Sequence, residues 1–270
     1  MDSQVILEFA SLSDTGMVRS GNEDALALAP DLRLAILADG MGGYNAGEVA
    51  SGMACALLKN ELASSPFATG DTTIPTEQAH AWLQGAIGRT NAAIFQLAQS
   101  QMQYAGMGTT LVLVLFHGKK LTVAHLGDSR LYRLRNKQLM QITSDHSVLQ
   151  AQIDAGILTP EQAKQSTHKN LVTRALGVEP QVQAEIHDYQ TLQGDLYLLC
   201  SDGLSDMLGE AEMQQLLHDE QHQPALCVDH LIARANQNGG RDNVSAILVK
   251  VLGYQKISTN PVARFLKWLK

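Results

Sequence analysis

The chain has 270 residues, 45% of them hydrophobic, and carries 20 lysines and arginines against 27 aspartates and glutamates, a formal net charge of −7. That apolar content supplies one domain with a substantial core, while the acidic balance argues against affinity for nucleic acid, whose phosphates demand a basic face. Cys55, Cys200 and Cys227 form no C-x-x-C pair, which fits a reducing, cytoplasmic setting, and neither a basic leader nor an apolar run near the ~20 residues of a membrane span is found, so no transmembrane segment is expected.

In chain order, short apolar or alternating runs at 5–10, 25–29 and 33–38 predict strands. A helix is expected over 47–62, then an exposed connector over 64–75 rich in Ser, Thr, Gly and Pro. A second helix over 76–101 repeats Ala79, Leu83, Ala86, Ile87, Thr90, Ile94, Leu97 and Ala98 along one face. Runs at 110–118, 120–127 and 129–135 are separated by Gly118-Lys119-Lys120 and by Gly127-Asp128-Ser129, so the stretch reads as a meander of tight hairpins.

Residues 143–177 are polar, with helical pieces at 147–155 and 160–165, and read as a flap inserted between strands. Strands at 182–188 and 195–201, helices at 210–218 and 224–236, and a last strand at 244–252 follow. The division expected is one catalytic domain over 1–252 and a basic tail over 253–270, ending in an amphipathic patch of Phe265, Leu266, Trp268 and Leu269.

Four separated segments each place aspartate next to glycine, serine or asparagine where a strand ends or a turn begins: Asp24, Asp39-Gly40, Asp202-Gly203 and Asp242-Asn243. A fold that gathers those ends would converge oxygen ligands in one cleft, a donor set suited to magnesium or manganese. The nine histidines form no H-x-x-x-H or H-E-x-x-H array, so zinc hydrolase chemistry has no support. A cysteine-based phosphatase needs an arginine six positions after its nucleophile, where this chain has Glu61, Asp206 and Ala233.

In order, RSGNED at 19–24, LADGMGGYNAGEVAS at 37–51, GMGTTLV at 106–112, AHLGDSRLYRL at 124–134, ITSDHS at 142–147, LVTRALG at 171–177, LCSDGLSDML at 199–208 and GGRDNVSAILV at 239–249 resemble a bacterial metal-dependent protein phosphatase of the type 2C serine/threonine family. The resemblance implies an α+β fold, a four-layer α-β-β-α sandwich of two antiparallel sheets flanked by helices, with a binuclear site at one end. By motif position Asp39 would bridge two Mn2+ or Mg2+ ions, with the Gly40 carbonyl on one and Asp202 and Asp242 on the other. Glu23 and Asp24 would complete the shell, partly through water, and a third, weaker metal would lie at Asp128 and Asp202, with Asp206 a further candidate.

The activity implied is hydrolysis of phosphoserine and phosphothreonine by direct attack of a metal-bridging hydroxide, two ions ~3.5 to 4 Å apart lowering the pKa of a shared water. Arg19 matches two phosphate oxygens with a bidentate fork. Phosphorylated proteins would be the substrates and a Ser/Thr kinase the opposing partner. Where many eukaryotic relatives carry a proton-donating histidine this chain has Met41, and Tyr44 stands where bacterial relatives often have histidine. The leaving-group acid is left open between a metal-bound water and His146. Thr109 and Thr110 read as packing. Two alternatives stand beside this reading: a catalytically silent phosphoprotein-binding regulator and an enzyme of the same fold acting on small phosphate esters.

Overall fold

The computed structural model describes residues 3–43, 46–69, 75–159, 162–163 and 171–256. Tyr44, most of the expected 160–165 helix and the 257–270 part of the tail lie outside them. Strand β1 covers Ser3–Asp14, β2 Asp24–Ala29, β3 Leu34–Met41, β4 Gly108–Thr109, β5 Leu111–His117 and β6 Lys120–Leu126. The later strands are β7 Arg130–Arg135, β8 Gln138–Gln141, β9 Glu185–Gln190, β10 Leu196–Cys200 and β11 Val244–Lys256. Helices α1 Ala46–Ala63, α2 Thr76–Ser100, α3 Val148–Asp154, α4 Asp202–Ser205, α5 Glu210–Glu220 and α6 Pro224–Gln237 complete the described chain.

One antiparallel sheet runs β1-β11-β10-β7-β8 and the other β2-β3-β5-β6-β9, with β4 added to β3. Strand periodicity explains how four layers follow from these sequences, because alternate side chains leave opposite faces of a strand. Leu34, Ile36 and Ala38 of β3 face the helix-side core with Leu58 and Leu62 of α1 and Leu83 and Ile87 of α2. Ala35 and Leu37, between them, face the inter-sheet core with Val112, Val114, Leu199, Ile247 and Val249. On the far side, Leu196, Leu198, Ala246 and Leu248 pack under Leu217 of α5 and Val228, Leu231 and Ile232 of α6.

Both long helices stand where the periodicity puts them, and of the face expected on α2 all but the half-buried Leu97 are fully buried, joined by Asn91. The expected meander is corrected by the sheet order. β5 and β6 do form a hairpin, with His117 opposite Lys120. β6 and β7, however, belong to different sheets, so Gly127-Asp128-Ser129 is a crossing between layers and not a hairpin turn. A short glycine-containing turn permits either course, and Tyr132 and Leu134, which pack under the α5–α6 layer, decide for the crossing.

The hairpin β7–β8 has no advertisement in the sequence. Its two turn residues, Asn136 and Lys137, both take positive φ, 51° and 64°, the geometry that Asn-Gly usually announces. The last strand runs to Lys256, past the residue at which the sequence suggests a tail, and pairs there with Ser3. The flap helix α3 is capped by Ser147, whose Oγ accepts from Gln150 N. The two ends of the flap are joined by Thr173 N donating to the His146 carbonyl at 2.8 Å and Val148 N to Leu171 O at 3.0 Å, and the flap is tied to the sandwich by His146 N donating to Gly127 O at 2.9 Å. Among the described residues no helix is long and apolar enough to cross a membrane.

Candidate metal centre

Strand register brings the acidic segments to one end of the sandwich. Asp24, first in β2, lies directly opposite Asp39 near the end of β3. In the other sheet Cys200, last in β10, pairs with both Arg130 and Ala246, so Asp202, Asp128 and Asp242 emerge together from the adjoining ends. The sheets are laced there through Asn243, whose Oδ1 accepts from Glu23 N at 2.8 Å while its Nδ2 donates to Thr15 O and Gly21 O at 3.0 and 2.9 Å. The sequence reading quoted Asn243 only as a neighbour of Asp242, although it joins the first loop to the last strand.

Thr109 and Thr110 do more than pack. Thr110 Oγ1 accepts from Asp39 N at 2.9 Å, Thr109 Oγ1 donates to Asp39 O at 2.9 Å, and Thr110 is itself paired with Ser129 Oγ at 2.8 Å. The Asp39 backbone is therefore held on both sides, leaving its carboxyl to face Asp24, Asp202, Asp128 and Asp242. Two glycines allow the close approach. A Cβ on Gly40 would lie 2.2 Å from Gly47 O, and one on Gly203 1.9 Å from Asn243 O.

Gly203 sits inside α4, so helix propensity alone would have alanine stabilise it by about 1 kcal/mol. The clash predicts the opposite: Gly203→Ala should cost about 1–3 kcal/mol and weaken manganese binding, as read by thermal melting with and without metal. A melt at or above wild type would contradict this account of the α4–β11 contact.

The electrostatics are those of crowded, buried carboxyls. Burial pushes Asp24 up to about 6, with Asp242 adding to the rise, and burial pushes Asp128 to about 6, with Asp145 and Asp206 nearby. Asp202 reaches about 8 by burial and by repulsion from Asp128, Asp206 and Asp242, and Asp39 is raised well above the carboxylate range by burial and then by Asp24, Asp202, Asp128 and Asp242. Burial also raises Glu23. Both carboxyl oxygens of Asp24 are buried and lack a well-formed hydrogen bond, with Ser245 and Ser201 near enough only to temper the rise, a state that costs on the order of 1–3 kcal/mol per group unless something fills it.

Arg19 is exposed and donates from Nη2 to Asp242 Oδ2 at 2.8 Å, a contact that raises its own pKa. Every donor in the group is a hard oxygen, and under-satisfied buried oxygens beside crowded carboxyls are what a pair of Mg2+ or Mn2+ ions would satisfy. The residues present fit such ions.

Among the described residues, the trio whose donor atoms lie within 4.8 Å of one another is His125, His146 and Glu185, not three of these carboxylates. The carboxylates span more than one ion's shell, which suits two ions whose coordination water completes. The histidine trio is organised differently. His146 Nδ1 accepts from Gly127 N at 3.2 Å, which puts the ring proton on Nε2, 3.3 Å from Glu185 Oε2. His125 stacks on that ring at 4.7 Å and 15° and is 3.0 Å from the Ser144 carbonyl through Nε2. Near-parallel rings cannot aim two lone pairs at one ion, so the trio latches the flap to β6, and His146 is held there in place of facing the carboxylates.

The protein phosphatase 2C profile matches residues 18–252, and the chain belongs to that family. It is 38% identical over 258 residues to the serine/threonine protein phosphatase PstP of Mycobacterium tuberculosis, covering 96% of this chain and 48% of that protein. The chain thus spans about half the length of those mycobacterial relatives. It is 37% identical over 241 residues to the serine/threonine phosphatase Stp of Listeria innocua, covering 88% of this chain and 93% of that one. The solved catalytic domain of PstP in complex with two manganese ions superposes with a TM-score of 0.79 at 37% identity, covering 93% of this chain and 100% of that one.

Proposed function

We propose that this chain is a metal-dependent phosphatase that hydrolyses phosphoserine and phosphothreonine in proteins by direct attack of water on phosphorus. The observation that carries the reading is the convergence of Glu23, Asp24, Asp39, Asp128, Asp202 and Asp242 beside Arg19 at one end of both sheets, with Asp24 buried and lacking a well-formed hydrogen bond. In this reading Asp39, Asp202, Asp242 and the Gly40 carbonyl hold two ions. Glu23 and Asp24 would complete the set, partly through water, and Asp128 and Asp206 would offer a third position with Asp202. Bound there, two divalent ions would supply the Lewis acidity that activates water at neutral pH and neutralises phosphoryl charge.

The chain's own residues bind and orient. Thr109 and Thr110 fix the Asp39 backbone, so the central carboxylate does not reorganise between substrates. Arg19 is exposed and ion-paired to Asp242, and it swings from that partner onto two phosphoryl oxygens when substrate enters. Met41 has no proton to give and His146 is engaged in the latch, which favours water in the site over either of them as the donor to the leaving alkoxide. The substrates are the products of a serine/threonine kinase, and the three unpaired, buried cysteines suit a cytoplasmic setting.

Metal-stripped protein should release phosphate from a phosphothreonine peptide only when Mn2+ or Mg2+ is returned. Release that ignores stripping would refute metal dependence, and ion binding without release would favour a phosphoprotein-binding regulator. Arg19→Ala should raise KM for the phosphopeptide roughly tenfold, with kcat changed much less, because it removes binding common to ground and transition states. A fall in kcat with KM untouched would show that Arg19 acts in the transition state instead.

A further inference from the structure

The two ends of the flap meet the residues that hold Asp39. At the far end Leu176 and Thr109 exchange backbone hydrogen bonds, Leu176 N donating to Thr109 O at 2.8 Å and Thr109 N to Leu176 O at 3.0 Å. At the near end His146 grips Gly127 twice: its N–H donates to Gly127 O at 2.9 Å, and its Nδ1 accepts from Gly127 N at 3.2 Å. Gly127 opens the crossing between the sheets and packs on Thr110, since a Cβ there would lie 2.7 Å from Thr110 Cγ2. Ser129, at the end of the crossing, pairs its hydroxyl with Thr110 Oγ1, which accepts from Asp39 N. The crossing that carries Asp128 is therefore clamped between the support of Asp39 and one imidazole ring.

That clamp depends on a proton. A neutral imidazole keeps one ring nitrogen free to accept, and an imidazolium keeps none. Nδ1 is the accepting nitrogen of His146, so a second ring proton would point at the Gly127 N–H and set two donors against each other. The surroundings also favour the neutral ring. His146 and the His125 ring stacked on it at 4.7 Å are both buried, and burial lowers both pKa values. The charged groups facing the pair are Glu185 and His187 of β9, with Arg174 and Asp145 from the two ends of the flap. Glu185 is shared between His146 Nε2 at 3.3 Å and His187 Nε2 at 2.9 Å, and Asp145 is bound by Arg130 at 2.7 Å. Neither carboxylate is dedicated to an imidazolium at position 146.

Resting on the phosphatase reading above, we propose that His146 is a positioning residue that works as a proton-operated latch: neutral, it holds the flap on the 127–129 crossing and so keeps Asp39 and Asp128 in place, and protonated at Nδ1 it releases the crossing and slows hydrolysis. The latch is closed at neutral pH and opens as pH falls below the ordinary histidine value of about 6.5.

Asparagine and glutamine separate the two ring nitrogens, because asparagine puts an acceptor oxygen near the place of Nδ1 and glutamine reaches the place of Nε2 instead. Wild type, His146→Asn and His146→Gln, all loaded with Mg2+, are compared at about pH 7.5 and about pH 5.5, either side of the histidine range. Two quantities are read: kcat for a small chromogenic phosphate ester, and hydrogen exchange at the Gly127 amide relative to an unstructured peptide at the same pH. At the higher pH, Gly127 should be protected in wild type and His146→Asn with kcat within about twofold, while His146→Gln loses the protection and roughly tenfold in kcat. At the lower pH, wild type should lose about tenfold of its Gly127 protection and His146→Asn none, and kcat should fall more steeply in wild type. Gly127 protection that wild type keeps at the lower pH would overturn the latch without recourse to any variant. So would a His146→Asn protein as impaired as His146→Gln, and full kcat in His146→Gln would overturn the positioning role. No metal-dependent turnover by wild type, with Gly127 responding as described, would overturn the phosphatase reading and the positioning role with it.

Discussion

Asp39→Asn is expected to reduce phosphopeptide turnover by roughly a thousandfold or more, since losing several kcal/mol of charge stabilisation costs a factor of ten per ~1.4 kcal/mol. The substitution is nearly isosteric, and the backbone contacts of Asp39 to Thr109 and Thr110 involve no side-chain atom of residue 39, so the fold has no reason to fail. The same change should raise the melting temperature of chelator-treated protein. Asp39 faces Asp24, Asp202, Asp128 and Asp242, and replacing its carboxyl with an amide removes one member of a mutually repelling group. At about 2–4 °C per kcal/mol for a domain of this size, a rise of several degrees at pH 8 is expected, with the manganese-induced gain in melting temperature largely lost. A variant that keeps its turnover, or melts lower than wild type without metal, would remove Asp39 from the centre of the cluster.

The second large effect is a pH dependence that metal abolishes. In the folded chain Asp24 and Asp128 titrate at about 6 and Asp202 at about 8, against about 3.9 for aspartate in an unfolded chain. Folded protein therefore binds more protons than unfolded protein across this window, and stability falls as pH rises. The contribution is fully present below about pH 4 and is lost as pH passes through about 6 and then about 8. His117, His125 and His146 act in the other direction, because burial lowers their pKa values and acid protonates them first in the unfolded chain. Their influence ends near the ordinary histidine pKa of about 6.5. Between pH 6.5 and 8.5, then, chelator-treated protein should melt at progressively lower temperature, while protein saturated with Mn2+ should show a much flatter profile. A flat profile without metal would mean that the carboxylates are not crowded as described.

Much of this was legible in the sequence because the signals are local. The apolar runs mark the strands, β3 among them, the α2 stripe predicts its buried face apart from the half-buried Leu97 and the unmarked Asn91, and the aspartates sit beside turn residues that end strands. What local reasoning missed depends on long-range choice. Gly127-Asp128-Ser129 fits a hairpin or a crossing equally well, and the packing of β7 under α5 and α6 determines which. The turn at Asn136-Lys137 lacks the glycine that normally marks it. Asn243 and Thr110 look unremarkable until Glu23 and Asp39 arrive from over seventy residues away.

The central claim is that these carboxylates form one site for at least two hard divalent ions. Counting Mn2+ bound at equilibrium, by the loss of the free-ion paramagnetic resonance signal, tests it directly in wild type, Asp39→Asn and Asp242→Asn. The account predicts at least two ions on wild type at pH 7.5 and a loss of one or both in each variant, with phosphate release falling in step. Fewer than two ions on wild type, or two retained by Asp39→Asn, would contradict it.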